Sequence, residues 1–205
     1  MCFSANAWEQ RVFLDVLVFS VSNNTLSRAE LNYELGDIKN IHYGDILVKF
    51  NVIVNVNDDN VPYITNGSYE VFKGQLLKNG DIVIADTAED ETTGKAVEIT
   101  GIADNYVVSG LHTMVARPTL LFAPNYLGYY LNSTAYRNQL LPLMQGIKVL
   151  SLSKSNVAKT SVVYPKNIME QKKIGTFFSR LDALITLHQR ELYIGVLKST
   201  YLSQY

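Results

Sequence analysis

A single cysteine in 205 residues, Cys2, excludes a disulfide framework and a cysteine-based zinc site. A reducing, cytoplasmic setting is the expectation for such a chain. Charge of one sign is missing too: 18 Lys and Arg stand against 19 Asp and Glu, for a formal charge of −1. That balance excludes a global basic attraction to nucleic acid or to a membrane. Long apolar runs are absent. The one stretch that invites a membrane or signal reading, VFLDVLVFSV at 12–21, contains Asp15. It is about half the length of a bilayer span. No basic segment precedes it and no small-residue cleavage site follows it. It reads as a buried strand.

Signatures of catalysis are scarce. The chain has no Walker loop, no G-x-G-x-x-G, no G-x-S-x-G and no N-P-P-[FYW] tetrad of the amino-methyltransferases. Its three histidines, His42, His112 and His188, lie far apart in the sequence. His42 in NIHYGDI, with Tyr43 and Asp45 beside it, is the one arrangement able to decorate a hydrolytic site. A lone H-Y-x-D is more often structural. His112 in SGLHTMV reads as a strand residue. The acidic group DTAEDE at 86–91 lacks the ordered spacing of a calcium loop. The expectation is a non-enzyme without metal or cofactor.

Apolar residues make up 47% and charged residues 18%, as in an ordinary globular protein with one core, or a domain with an appendage. Val- and Ile-rich pieces read as strands: DILVKFNVIV (45–54), GDIVIAD (80–86), KAVEITGI (95–102), NYVVSGLHTMVARP (105–118) and TSVVYP (160–165). Gly, Asn, Asp and Pro clusters bound them. Gly-Asp-Ile recurs at 36–38, 44–46 and 80–82, a repeated turn-into-strand device with spacing too irregular for a solenoid. One helical pattern spans 126–146, limited by Pro142 and Gly146, and a loop of small, hydroxyl and basic residues follows at 147–159.

After Pro165, Asn167 and Glu170 form a capping-box signal that starts a helix near Ile168. Ile174, Phe178, Leu181, Ile185, His188 and Leu192 then follow a 4-3-4-3-4 spacing, a heptad-like seam. Phe177 and Leu184 widen it. A helix over 168–203 is about 54 Å long. Few of its residues can touch a body that ends at its base, so the seam needs a partner helix. The alternative is a helix folded back on its own body. The expected fold is α+β: a β-rich domain with a few helices over 1–165, then a long coiled-coil helix over 166–205.

Charge is uneven along the chain. Residues 137–173 hold Arg137, Lys148, Lys154, Lys159, Lys166, Lys172 and Lys173 against Glu170 alone. Such a run is ordinarily a solvated face; its sharper reading is a surface that tracks phosphates, since local cation density governs nucleic-acid affinity.

Several phrases, in order and over nearly the whole chain, carry a resemblance. They are WEQR (8–11), SNNTLSRAELNYELGDIKNIHYGDILVKF (22–50), GDIVIADTAEDETTGKAVEI (80–99), VVSGLHTMVARP (107–118) and YLGYYLNSTAYRNQLLPLMQGIKVLSLSKS (126–155). The most specific is P-x-x-x-x-E-Q-x-K-I-G-x-F-F-x-x-L-D-x-L-I at 165–185. Together they resemble the DNA-specificity subunit of type I restriction–modification systems. WEQR departs from that pattern in being followed by VFLDVLV. The resemblance implies one target-recognition domain and one conserved helix, half of a subunit that carries two of each. It also implies double-stranded DNA as a ligand, methylation subunits docking on the helix, and a restriction subunit joined through them. The missing helix would come from a second copy, giving a homodimer through Ile174, Phe177, Phe178, Leu181, Leu184, Ile185, His188 and Leu192. Such a pair would read inverted half-sites, with catalysis left to the partners.

Base readout needs amide, hydroxyl, imidazole and guanidinium groups on loops. The loops SVSNNTLSR (20–28), KNIHYGD (39–45), EDETTGK (89–95) and QGIKVLSLSKS (145–155) offer Asn23, Asn24, Lys39, His42, Tyr43, Thr92, Lys95, Ser153 and Ser155. Arg137, Lys148 and Lys154 suit phosphates. A second reading is an interaction or regulatory module that exchanges into full-length specificity complexes without useful DNA binding of its own.

Overall fold

The computed structural model describes residues 8–58 and 60–202, with side chains described as far as Glu191. The chain opens with β1 (Trp8–Val12), α1 (Phe13–Val16), β2 (Leu17–Val21), β3 (Leu31–Asn32), β4 (Ile38–Ile41), α2 (Tyr43–Val48) and β5 (Ile53–Asn55). There follow β6 (Tyr63–Ile64), α3 (Tyr69–Phe72), β7 (Ile82–Ala85), β8 (Thr87–Ala88), β9 (Ala96–Thr100), β10 (Tyr106–Ser109) and β11 (Thr113–Pro118). The last third holds α4 (Tyr126–Asn132), α5 (Thr134–Leu140), β12 (Leu150–Ser151), α6 (Lys154–Val157), β13 (Ser161–Pro165) and α7 (Ile168–Leu202).

The central sheet runs β2-β11-β7-β9-β5 and is antiparallel except for the parallel β5–β9 edge. Strand alternation feeds two cores. Ile82, Ile84, Met114 and Ala116 face Phe13, Tyr126, Leu127 and Leu131 on one side. Val83, Ala85, Val97, Ile99 and Val115, with Val54 beside them on β5, face Ile41, Ile46, Phe50 and Val107 on the other. Burial on both faces is why these strands read as continuous apolar runs. A second sheet, β10-β4-β6-β3, joins β10 to β4 in parallel. The pair β1–β13 ties the start of the body to the strand just before α7.

The expected α+β architecture is present, with local differences. DILVKFNVIV is not one strand: residues 43–48 are helical, because His42 Nδ1 accepts from Gly44 N and caps α2, and only 53–55 are extended. VFLDVLVFSV contains the helical turn α1 before β2; Phe13 and Val16 turn inward together there. The helical pattern at 126–146 is broken at Ser133, whose extended backbone ends α4 and whose side chain caps α5. Asn132 explains the break: its amide bridges both backbone groups of Ala96, Nδ2 donating to the carbonyl and Oδ1 accepting from the N–H. The loop at 147–159 contains β12 and α6. His112 lies in the turn between β10 and β11, with φ +53°.

α7 starts at Ile168 as expected, with Asn167 Oδ1 accepting from Met169 N at 2.9 Å, but Glu170 does not close the capping box: its Oε2 is buried without a hydrogen-bond partner. At about 1.5 Å per residue, its 35 residues make a rod of roughly 52 Å. Among the residues whose side chains are described, its foot is the part packed on the body. Gln171 is buried, accepting from Ala123 N and donating to Pro165 O. Gly175 lets the helix close on the chain entering α4: a Cβ there would stand 2.9 Å from Pro124 O. Tyr129 stacks on Phe178 and donates to Asp182 at 2.8 Å.

Candidate nucleic-acid interface

Five segments converge at one end of the central sheet. β7 and β11 are paired through Ala85 and Thr113, and the ladder continues with Asp86 N donating to His112 O at 3.1 Å. The β10–β11 turn reaches the loop after β4, with Gly110 N donating to Ile41 O at 2.9 Å. Asn23 donates to Gly110 O, and Leu152 N to Asp86 O, which brings in the segment after β2 and the start of 150–155. On this platform Tyr43 lies between two imidazoles, 4.7 Å from His42 and edge-on at 5.3 Å to His112. His112 Nδ1 is 3.4 Å from Asp86 Oδ1. Burial pushes the Asp86 carboxyl up, and the nearby His112 and Lys154 pull it back down.

The expected contact residues divide into two kinds. Asn24, Lys39, His42, Lys95 and Arg137 are used inside the protein. Asn24 bonds to Asn40 and Ser109 O, and Lys39 reaches Val56 O from a buried position. Lys95 caps the carbonyl end of α2 through Leu47 O and Phe50 O. Arg137 holds the carbonyls of Glu91 and Thr93. Burial lowers the amine pKa of Lys39 and Lys95 from the ordinary value. His42 is buried and capping; burial first, then the Arg28 charge, holds its pKa below the ordinary value.

Lys148, Ser153, Lys154, Ser155 and Thr92 are exposed, and Asn23 and Tyr43 half-buried. Lys154 Nζ sits 5.9 Å over the Phe19 ring. Ser153 caps α6. Thr92, Lys95 and Arg137 share a separate cleft with Asp90 and Glu91, where Thr92 N closes a turn on Asp90 at 2.8 Å.

Sequence reading missed His112 and Asp86, which are 26 positions apart and meet only through the β7–β11 register. It also missed Arg28, whose guanidinium grips Asp45 in a fork at 2.7 and 3.0 Å. That fork, with Tyr33 O–H at 3.0 Å from Arg28, takes Asp45 away from any His42 dyad. Among the described residues, no cluster of His, Cys, Asp or Glu is arranged to hold a metal ion. No described helix is long and apolar enough to cross a membrane.

Beyond its foot, α7 keeps its apolar face uncovered as far as Leu187. Leu184 is 61% exposed, Ile185 54% and Leu187 55%. Phe177, Phe178 and Leu181 continue that surface toward the body, where half-buried Ile174 joins the core. His188 is exposed, 4.0 Å from Glu191. The side chain of Leu192 lies outside the described residues. Trp8, Tyr129, Tyr130, Ile174 and Phe178 line a groove of about 600 Å³ at the foot.

The comparisons with known proteins agree on one kind of domain. No curated protein matches the sequence. The S subunit of a type I restriction–modification system from M. genitalium has a similar fold, with TM-score 0.57 at 13% identity over 88% of this chain and 40% of that one. The HsdS subunit from Thermoanaerobacter tengcongensis gives 0.55 at 12% identity, over 93% and 41%. A chain from a study of type I R-M complex assembly and conformational transition gives 0.57 at 13%, over 93% and 42%. The chain therefore spans about two-fifths of the length of these solved relatives. Residues 30–195 match the family model of the type I restriction modification DNA specificity domain, and the chain belongs to that family.

Proposed function

We propose that this chain chooses the DNA address for a type I restriction–modification complex in the cytoplasm. Residues 1–165 form the recognition domain, and residues 166–205 the spacer and pairing helix. Methylation subunits dock on the helical region, and the restriction subunit joins through them. Methyl transfer and cleavage belong to those partners; the His42–Asp45 pair that a hydrolase would need is split between a helix cap and an arginine fork.

One observation carries the pairing part of this reading: α7 leaves the body with its apolar face uncovered through Leu187. Exposed apolar surface of that continuity marks an interaction site. A second copy offers the same face, and two such faces crossing antiparallel form a closed two-fold pair. The coiled coil then holds two identical recognition domains facing opposite ways, so the complex reads an inverted, bipartite site. Half-site centres one DNA turn apart lie about 34 Å from each other, well within the span of the rod.

The experiment is to co-express the chain with a methylation subunit and map modified adenines across a genome. A palindromic pair of short half-sites with a fixed unread gap is expected. Inserting one heptad in α7, about 10 Å of rise, should change the gap and leave the half-site bases alone. An asymmetric target, with no full-length specificity subunit present, would refute the symmetric pair.

A further inference from the structure

We infer that His112, oriented by Asp86, is a specificity-determining residue that reads an exocyclic amine, adenine N6 or cytosine N4, in the major groove. The assignment rests on the DNA-reading proposal above and names the atom that does the reading.

The first support is position. His112 lies at the meeting point of the loop after β4, the loop after β7 and the β10–β11 turn. Its side chain is 49% exposed. The backbone there is left-handed, a conformation that glycine adopts without strain. The other two non-glycine residues at positive φ among the described residues, Asn66 and Asn125, are both asparagines. Strained positions of this kind collect at functional sites.

The second support is that the fold makes no demand on either side chain. Main-chain bonds alone hold the place: Asp86 N to His112 O, and Leu152 N to Asp86 O. An asparagine at 112 and a serine at 86 would keep both, since the left-handed backbone at 112 is one that asparagine tolerates. The two side chains nevertheless face each other at 3.4 Å, with Tyr43 edge-on to the imidazole. A carboxylate 3.4 Å from Nδ1 favours the ring form with the proton on that nitrogen. A neutral imidazole so arranged keeps Nε2 as an acceptor. Among the described residues, no hydrogen bond uses that Nε2. An acceptor on this half-exposed side chain at the loop platform matches the amino groups that adenine and cytosine show in the major groove.

The roles are separate. His112 touches the base; Asp86 is a positioning residue. Lys154, which acts on Asp86 electrostatically, and Arg28 with Asp45 behind His42 complete the charged surroundings.

The test uses the full chain assembled with a methylation subunit, and a pool of duplexes about 30 base pairs long with randomised half-sites as the probe. Wild type should enrich a defined sequence. His112→Asn keeps a residue suited to the left-handed turn, and Asp86→Asn keeps the shape of the carboxylate; thermal melts of both confirm folding. Both variants should lose preference at the same half-site position by about tenfold, within the usual range for one base pair, with the other positions unchanged. A merely structural role moves no single position. Unchanged preferences throughout, or an affinity loss uniform across the pool, overturns the assignment. Disagreement between the two variants about which position relaxes overturns the role of Asp86. A wild-type complex that binds duplexes but enriches no sequence defeats the DNA-reading proposal itself, and the assignment with it.

Discussion

The body and the shaft of α7 use apolar residues in opposite ways. In the body, Ile, Val and Leu are consumed by two cores on the faces of one sheet, and strands such as β7 and β9 are buried on both sides. On the shaft, Leu184, Ile185 and Leu187 stand in solvent. Fully burying one such side chain is worth about 1.5–3 kcal/mol. The body has collected that stabilisation already. The shaft has it still to gain, and only from a surface outside the body. The boundary between the regimes is the foot, where Gln171, Ile174, Gly175, Phe178 and Asp182 touch the body, while Leu184, Ile185 and Leu187 stand exposed above it.

The sharpest way to break this contrast is to place a charge on the shaft. Ile185→Asp should convert the paired chain to monomer, since each copy would bury an unpaired carboxylate at a cost of at least about 3 kcal/mol. That corresponds to more than a hundredfold in association. The melting temperature of the monomer's body should stay put. Light scattering checks the first half and a thermal scan the second. A wild-type chain that is monomeric at high micromolar concentration would mean that a methylation subunit covers the seam instead. Next in size is the foot. Gln171→Ala removes two hydrogen bonds from buried main-chain groups at Ala123 and Pro165. A loss of about 2–3 kcal/mol is expected by denaturant unfolding, with amide exchange rising first around Ile168–Phe178.

How much of this contrast the sequence displayed depends on whether the information was local. The start of α7 was legible because Asn167 caps its own neighbours. The apolar face of its shaft was legible because apolar residues recur at helical spacing along one element. The strands of the central sheet were legible as apolar runs. α2 was not: YGDILV has the composition of a strand, and a short apolar run does not distinguish strand from helix. Its helical state follows from His42 capping Gly44 and from Lys95, distant in sequence, closing the far end. The loop platform was half legible for the same reason. Loops 39–45 and 145–155 could be chosen for their polar residues, and both border the platform. Which of their side chains face inward was not visible: Lys39 and His42 are polar by type and buried by topology. His112 and Asp86 meet only through strand register.

A smaller effect separates the buried face of the sheet from its edge. Glu98 points from β9 at the start of α4, accepting from Asn125 N at 2.7 Å and Gly128 N at 2.9 Å. Burial raises its pKa above the ordinary 4.5, more than these two donors lower it. A raised folded-state pKa means that the native chain binds the proton more tightly than the unfolded one. Its contribution to stability is thus fully present below pH 4.5 and is lost as pH rises through the folded value. Glu98→Gln should flatten that part of the curve of stability against pH. A residual slope of the same sign should remain from Asp86, which burial also pushes up. An unchanged slope in the variant would show that Glu98 titrates as it does in the unfolded chain.

The smallest effect tests whether phosphate contact belongs to the body or to the rod. Lys154 stands at the edge of the loop platform, over Phe19, while Lys172 is exposed at the foot of α7. Both belong to the basic run at 137–173, which sequence alone treats as one surface. Neither holds the fold, so each alanine variant should keep stability within about 0.5 kcal/mol. If the platform faces DNA and the rod faces protein, Lys154→Ala should weaken binding at all sequences and lower the slope of log affinity against log salt by about one unit. Lys172→Ala should leave that slope unchanged. Titrations of the assembled complex on a specific and a scrambled duplex at several salt concentrations separate the cases. Equal losses for both lysines would mean that DNA runs along the helix as well as the platform. The uncovered face of α7 would then be shared between nucleic acid and protein.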